Sequence, residues 1–169
     1  KHLIPIYDKP LIYYPLSLLM LIGIRDILII VNDDDKVFFE KLIGNGEKLG
    51  IKIRYKEQHK PAGIPEAFII GEDFIKNENV ILILGDNIFY GQGLIEIIKK
   101  SKDSFKNGAK IFTYPVKKPN EFGVVELKNN EISKLVEKPK VTNSNLAITG
   151  LYFFDNQVNS ISKNLIPSK

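Results

Sequence analysis

The 169-residue chain contains no cysteine and no tryptophan. The absence of cysteine excludes disulfides, thiolate catalysis and cysteine-ligated metal sites. There is no signal-peptide pattern, and the longest apolar run, near 16–24, is interrupted by Ser17 and Gly23, so nothing reaches the length of a membrane span. These absences fit a cytoplasmic protein with no membrane segment.

Familiar catalytic motifs are also missing, since no Ser-His-Asp set, Walker loop or dinucleotide fingerprint can be read. The two histidines, His2 and His59, have no companions at metal-ligand spacing, and we expect both to be ordinary surface or loop residues. The net charge of +4 is spread along the chain without a basic run. That distribution gives weak support for anionic ligands and argues against nucleic-acid binding.

Alternating strand and helix patterns dominate the first two thirds of the chain. Nearly continuous aliphatic runs at 26–32 and 80–84 are typical of buried strands, 109–116 is a third strong strand, and amphipathic or capped segments separate them. After Val116 the pattern predicts a hairpin that turns at Asn129 and Asn130, then a further strand and a helix. Residues 1–169 are therefore predicted to form one three-layer α/β domain with a mainly parallel sheet and some antiparallel character near one edge.

The stretch "VILILGDN" places Asp86 directly after a buried strand and Gly85. In open α/β sheets ligands bind beyond the carboxyl ends of the strands. A carboxylate in that position suits Mg²⁺, which takes one or two protein carboxylates together with phosphate oxygens. An Asp-Asn pair can equally begin a turn and cap the next helix. The pattern alone supports both interpretations about equally.

A second charged pair, Glu137 and Lys138 in "EKP", also follows a predicted strand. Lys138 could bind a phosphate as a point charge and Glu137 could accept hydrogen bonds from a polyol. Composition alone favours a solvated pair before a turn. The acidic run Asp33–Asp35 is better explained as a helix N-terminus than as a metal cluster.

Six segments of the sequence closely resemble the sugar nucleotidyltransferases, in particular the glucose-1-phosphate thymidylyltransferases. They are "LIPIYDKPLIYYPLSLLMLIGIRDILII", "AFIIGEDFI", "LGDNIFYG", "FGVVE", "EKP" and "TGLYFFDN", in the family's order and over essentially the whole chain. The resemblance implies a Rossmann-like core and a Mg²⁺-dependent reaction. A nucleoside triphosphate (dTTP) and a sugar 1-phosphate (glucose 1-phosphate) would give dTDP-glucose and pyrophosphate, for deoxysugar and surface-polysaccharide synthesis. It also implies a homo-oligomer, commonly a tetramer.

The resemblance further implies roles for individual residues. Asp86 matches the Mg²⁺ ligand, and Lys1 and Lys138 match lysines that contact phosphates. The remaining substrate-binding positions implied are Gly63, Glu66, Asn87, Gly123, Glu137, Thr149, Gly150 and Tyr152. The first two of these fall in the base-reading segment, and most of the others fall around the sugar and its phosphate. No protein nucleophile is needed, because positioning and charge neutralisation suffice for such a transfer.

Four features depart from the family pattern. The glycine-rich "GGxGTRL" loop with its preceding central strand, and a later metal-binding Asp, match nothing within the chain. Glu66 stands where the resemblance places a base-reading glutamine, and His2 stands where the family has glutamine. We therefore expect the chain to be an incomplete domain that is inactive alone and exposes strand edges. Because a carboxylate only accepts hydrogen bonds, Glu66 also leaves open another base or sugar. A non-catalytic sugar-phosphate-binding remnant is the third alternative.

Overall fold

The computed structural model describes residues 1–60 and 62–165, in which strands and helices alternate as the sequence patterns predict. The strands are β1 (Pro5–Ile6), β2 (Lys9–Pro10), β3 (Asp26–Val31), β4 (Lys52–Glu57), β5 (Val80–Ile83), β6 (Ala109–Pro115), β7 (Gly123–Lys128), β8 (Glu131–Glu137) and β9 (Leu146–Phe154). The helices are α1 (Tyr13–Leu21), α2 (Lys36–Ile43), α3 (Ile64–Ile70), α4 (Glu72–Ile75), α5 (Leu94–Asp103) and α6 (Val158–Asn164). None of the described helices is long and apolar enough to cross a bilayer.

The strands pair in two main sheets. In the first, β3 and β4 are parallel, from Asp26 opposite Lys52 to Val31 opposite Glu57. In the second, β9 pairs antiparallel with β5, β6 and β7, and β7 pairs antiparallel with β8. Because β6 pairs along almost the whole length of β9, β5 and β7 share the other edge of β9. The long strand β9 therefore joins the βαβ part of the chain to the hairpin.

The expected α/β architecture is confirmed, whereas the expected predominance of parallel pairing is wrong for the described residues. Only β3 and β4 pair in parallel there, and the remaining pairs are antiparallel. The reason is that β9 lies between β5 and β6 and runs against both. An aliphatic run reports that both faces of a strand are covered, but it carries no information about the direction of its neighbours.

Helices cover both faces of the larger sheet, which makes the predicted three layers. On one face, Phe153 and Leu151 of β9 pack with α1, α2 and α5, and Ile81 of β5 lies against the same cluster. On the other face, Phe68, Ile75 and Val158 come from α3, α4 and α6, and Leu82 of β5 packs against them. The alternation of Ile81 and Leu82 between the two clusters is the period-two pattern of a strand that is covered on both sides.

The predicted hairpin turn is confirmed. Asn129 and Asn130 both have positive φ, at 52° and 66°, between the antiparallel strands β7 and β8. Asparagine tolerates this backbone region better than most residues, and two consecutive positive φ values match the twist of a hairpin.

A groove separates the two sheets between β3 and β5. It encloses about 320 Å³ and is lined by Ile27, Leu28 and Ile30 on one side and by Val80–Ile83 on the other. Within the described residues, β4 is the only partner of β3 and β9 the only partner of β5. The second edge of each of these strands therefore carries backbone groups without ladder partners.

Candidate functional site

Asp86 lies in a tight turn at the carboxyl end of β5. The Leu84 amide donates to the Gly150 carbonyl oxygen at 2.8 Å, and the Asn87 amide donates back to the Leu84 carbonyl oxygen at 3.2 Å. The first bond joins the turn to β9, and the second closes the turn itself. The Asp86 side chain is 29% exposed and forms an ion pair with the ammonium of Lys1. The hydrogen bond from Lys1 lowers the pKa of the Asp86 carboxyl, against the opposing effect of partial burial.

This turn forms one wall of a cavity of about 610 Å³, which we call the Asp86 cavity. Lys1, Gly85 and Asp86 lie on one side of it, and Gln58 and Gly63 also line it. A cavity of this size accommodates a nucleotide-sized ligand. Of the positions singled out by the sequence, Lys1, Asp86 and Gly63 are therefore brought to one cavity.

His2 also lines the Asp86 cavity. A Cβ on Gly85 would lie 3.1 Å from Cδ2 of His2, so the glycine allows the ring to approach closely. Burial lowers the pKa of His2, against the raising effect of Asp86. His2 lies in a turn, as the loop alternative predicts, but it is half-buried beside the cavity, so the surface alternative is wrong for it. His59 behaves as expected, because its side chain is 79% exposed and pairs with Asp33 at 2.6 Å.

Gln58 is a cavity residue that the sequence analysis missed. It directly follows β4, and its amide donates to the Val31 carbonyl oxygen at 2.8 Å, which holds it at the end of the parallel pair. Its side-chain nitrogen donates to Oε2 of Glu66, which also accepts the Ala62 amide at 2.8 Å. The same carboxyl-end argument that selected Asp86 would have selected Gln58.

A second group of predicted residues surrounds the open end of the β7–β8 hairpin, and we call it the hairpin cluster. Gly123 and Glu137 are opposite each other in the ladder, and a Cβ on Gly123 would lie 2.8 Å from Oε2 of Glu137. The Lys138 ammonium lies 3.9 Å from the Glu137 carboxylate. Burial chiefly, and the charge of Glu137 in addition, raise the pKa of the Tyr152 hydroxyl. The cluster therefore presents a carboxylate and an ammonium, and the Glu137 charge also acts on the Tyr152 phenol.

Lys138 adopts φ of 41°, an uncommon value for a residue with a side chain. Its amide donates to the Phe122 carbonyl oxygen at 3.0 Å, which holds this conformation at the end of β8. Backbone held in a sparsely populated region often accompanies a functional position. Composition favours a solvated pair before a turn, and the exposures of the Lys138 and Glu137 side chains, 67% and 76%, agree with that; the positive φ of Lys138 is a feature in addition to it.

Gly150 brings the Asp86 turn close to β9. A Cβ placed on Gly150 would lie 1.9 Å from Nδ2 of Asn87 and 2.9 Å from Cδ1 of Leu84, so any larger residue would displace these two side chains. The neighbouring Thr149 is turned to the other side, where its hydroxyl donates to the Phe112 carbonyl oxygen at 3.0 Å. Asn87 and Gly150 are thus in contact, while the Thr149 hydroxyl is bonded to β6.

The donor set for a metal is small. In the part of the chain that the structure describes, no group of three or more His, Cys, Asp or Glu side chains is arranged to hold a metal ion. Asp86 offers a single carboxylate at the rim of a cavity. That set fits Mg²⁺, which is commonly held by one or two carboxylates and completes its coordination with phosphate oxygens and water. It does not fit a metal that requires an all-protein cage.

Comparisons with known proteins agree with the α/β fold and also identify the family. The family model described as nucleotidyl transferase matches residues 1–169. A curated relative from Neisseria meningitidis, named glucose-1-phosphate thymidylyltransferase, is 51% identical over 169 residues, which cover 99% of this chain and 58% of the relative. A relative of the same name from Mycolicibacterium smegmatis is 46% identical over 166 residues, which cover 98% of this chain and 57% of the relative. The chain thus spans a little over half the length of these relatives.

Solved structures give the same result. A Bacillus anthracis structure assigned as a glucose-1-phosphate thymidylyltransferase, in complex with sucrose, superposes with a TM-score of 0.90 at 36% identity and covers 99% of this chain and 68% of its own. A UDP-glucose pyrophosphorylase complexed with UDP-glucose superposes with a TM-score of 0.84 at 22% identity, covering 99% of this chain and 72% of its own. The second likeness concerns the fold alone.

Proposed function

The chain belongs to the nucleotidyl transferase family, and we propose that the protein carrying it transfers a thymidine monophosphate group from dTTP to glucose 1-phosphate. The products are dTDP-glucose and pyrophosphate. The observation that carries this proposal is the Asp86–Lys1 pair at the rim of the Asp86 cavity. The names of relatives at 46–51% identity support the choice of substrates.

The reaction requires no protein nucleophile. An oxygen of the sugar phosphate forms a bond to the α-phosphorus of dTTP, the bond from that phosphorus to the bridging oxygen breaks, and pyrophosphate leaves with the electron pair. Asp86 would hold Mg²⁺, which neutralises charge on the phosphate oxygens. Lys1 lies beside Asp86, so its ammonium is placed to contact the same phosphates.

The sugar phosphate would lie at the hairpin cluster. The Glu137 carboxylate accepts hydrogen bonds from sugar hydroxyls, and Lys138 contributes a positive charge to the phosphate. Gly123 and Gly150 leave space because a side chain at either position would collide with Glu137 or Asn87. Tyr152, whose hydroxyl pKa the Glu137 charge helps to raise, is assigned to the same site. Thr149 acts through its position beside Gly150, since its hydroxyl is bonded to β6.

The base would lie at the opposite end of the Asp86 cavity, beside Gly63 and Gln58. Gly63 has φ of 94° at the start of α3, a conformation that favours glycine and brings the backbone close to a ligand. Transfer of a different nucleotide is a second candidate, because the carboxylate of Glu66, which the resemblance places at a base-reading glutamine, can only accept hydrogen bonds and does so from Gln58 and Ala62.

The proposal extends to the setting that the family resemblance implies. We place the activity in the cytoplasm, in the synthesis of deoxysugars for surface polysaccharides, and in a homo-oligomer such as a tetramer. Because the chain covers 58% of its Neisseria relative, the activity is proposed for the complete gene product. The 169-residue chain by itself is expected to be inactive.

Pyrophosphate release by the complete gene product tests the proposal. We expect turnover with dTTP and glucose 1-phosphate, and at least about a hundredfold loss of kcat/KM in Asp86→Asn because a charged ligand is replaced by a neutral amide. Asp103→Asn is the matched control, since Asp103 is an exposed carboxylate at the end of α5. Failure to release pyrophosphate with any pairing of nucleoside triphosphate and sugar 1-phosphate would favour a non-catalytic binding protein. Full activity of Asp86→Asn would remove Asp86 from the mechanism.

A further inference from the structure

We infer that Glu66 is a positioning residue that holds the side-chain amide of Gln58 in one orientation, and that this orientation selects thymine or uracil over cytosine. The inference rests on the proposed function, because it assumes that a nucleotide base reaches Gln58. Its starting point is the contact between the two side chains, in which Nε2 of Gln58 donates to Oε2 of Glu66.

The chemistry of the pair fixes which end of the amide faces Glu66. A carboxylate accepts hydrogen bonds and donates none, whereas an amide has one end that donates and one that accepts. If the Gln58 amide rotated by half a turn, its oxygen would face the Glu66 oxygen without a hydrogen between them. Nε2 of Gln58 must therefore face Glu66. This follows from hydrogen bonding and does not depend on telling Oε1 and Nε2 apart by position.

Glu66 is itself fixed in place. The oxygen that receives Gln58 also accepts the Ala62 amide at 2.8 Å, and the residue lies in the first turn of α3, where the helix dipole favours a negative charge. Both Gln58 and Glu66 are half-buried. The backbone of Gln58 is held by Val31 at the end of β3. The Gln58 side chain is therefore held at its base, through the backbone amide, and at its tip, through Nε2.

The edge of the Gln58 side-chain amide that does not face Glu66 then has a fixed order of donor and acceptor. One hydrogen of Nε2 is used by Glu66, and within the described residues Oε1 of Gln58 receives no hydrogen bond. Gln58 lines the Asp86 cavity, and the free edge of its amide carries one donor and one acceptor in a fixed order. Thymine and uracil present an acceptor (O4) next to a donor (N3–H), and cytosine presents the reverse order. A base held in one position therefore matches only one orientation of the amide.

The prediction concerns the ratio of kcat/KM for dTTP to that for dCTP. This ratio distinguishes a change in the orientation of the Gln58 amide from a general loss of activity. The complete gene product should use dTTP in preference to dCTP. Glu66→Ala frees the Gln58 amide to rotate, so the ratio of kcat/KM for dTTP to that for dCTP should fall about tenfold or more, the value of a charge-assisted hydrogen bond. A merely structural defect would lower both values together and leave their ratio unchanged.

Glu66→Gln is the rescue variant, because the oxygen of a glutamine can accept from both Ala62 and Gln58 and keep the amide nitrogen facing it. It should retain most of the wild-type ratio. Gln58→Ala should abolish the preference. Glu96→Ala, which removes another first-turn glutamate on the exposed side of α5, should leave the ratio unchanged.

The outcomes separate the inference from the proposed function. No turnover with either nucleotide by the wild-type protein would overturn the proposed function. Turnover with an unchanged ratio in Glu66→Ala, or with a ratio lost equally in Glu66→Gln, would overturn the inference while the function stands. Equal use of dTTP and dCTP by the wild-type protein would also overturn it.

Discussion

Replacing Gly150 with alanine should lower both stability and activity, because the new Cβ would collide with two side chains. The added Cβ would lie 1.9 Å from Nδ2 of Asn87 and 2.9 Å from Cδ1 of Leu84. The φ angle of Gly150 is not in the left-handed region, so an alanine suffers no backbone strain and the cost is steric. Overpacking of this kind costs about 1–3 kcal/mol.

The expected effect is a fall in Tm of roughly 2–12 °C, since 1 kcal/mol shifts the Tm of a domain of this size by about 2–4 °C. Thermal unfolding followed by circular dichroism measures it. The kcat/KM of the complete gene product should fall as well, because the displaced Asn87 is the immediate neighbour of Asp86.

Two further variants isolate the contact. In Gly91→Ala, the new Cβ meets only Cβ of Leu94 at 3.9 Å, so this change in the loop that carries Asn87 should be close to neutral. In an Asn87→Ala background, Gly150→Ala should cost less than in the wild type, because only the contact with Leu84 remains. An unchanged Tm in Gly150→Ala with Asn87 intact would refute the steric argument, and so would an equal cost in both backgrounds.

Three other predictions follow from the packing and the charges. Phe153→Ala should cost about 3–5 kcal/mol in urea-induced unfolding, because Phe153 is 1% exposed in the main core; a cost below 1 kcal/mol would contradict the core assignment. The Asp33 hydrogen bond raises the pKa of His59 above 6.5, so the small stabilisation from this exposed pair is complete below pH 6.5 and is lost as the pH rises through the folded-state pKa. An NMR titration of His59 should show a higher pKa in the wild type than in Asp33→Asn, and equal values would exclude the pair in solution. The 169-residue chain should self-associate through the groove edges of β3 and β5, which sedimentation velocity measures; a monomer at every concentration tested would contradict this.

The hydrophobic patterns were sufficient to predict the layers of this fold. Short aliphatic runs identified β3 and β5, and the polar pair Asn129–Asn130 identified the hairpin turn. These features depend on the hydrophobic period within one strand or helix and on local backbone preferences. The residues of each short segment therefore contain the information needed to predict them. The direction of the sheet partners was not predictable in the same way, because β5 and β9 are separated by more than sixty residues.

Part of the candidate site could likewise be predicted from the sequence, and part could not. The rule that ligands bind at the carboxyl ends of strands was enough to select Asp86, and the same rule applied to β4 would have selected Gln58. It could not show that Glu66 turns back to hold Gln58, nor that His2 is packed against Gly85. Both contacts depend on the loop after β4 and on the path of the first residues, which the tertiary structure alone defines.

What the sequence determined by itself is the set of elements and the chemistry available at their ends: buried strands, short turns, and a supply of carboxylates, lysines and amides in place of thiols. Local backbone propensity and hydrophobic period are properties of short segments, so they can be recognised without knowledge of the rest of the fold. The tertiary structure decided which of those groups meet. It placed Lys1 against Asp86, Asn87 against Gly150 and Glu66 behind Gln58, because a contact between distant residues depends on how all the intervening elements pack.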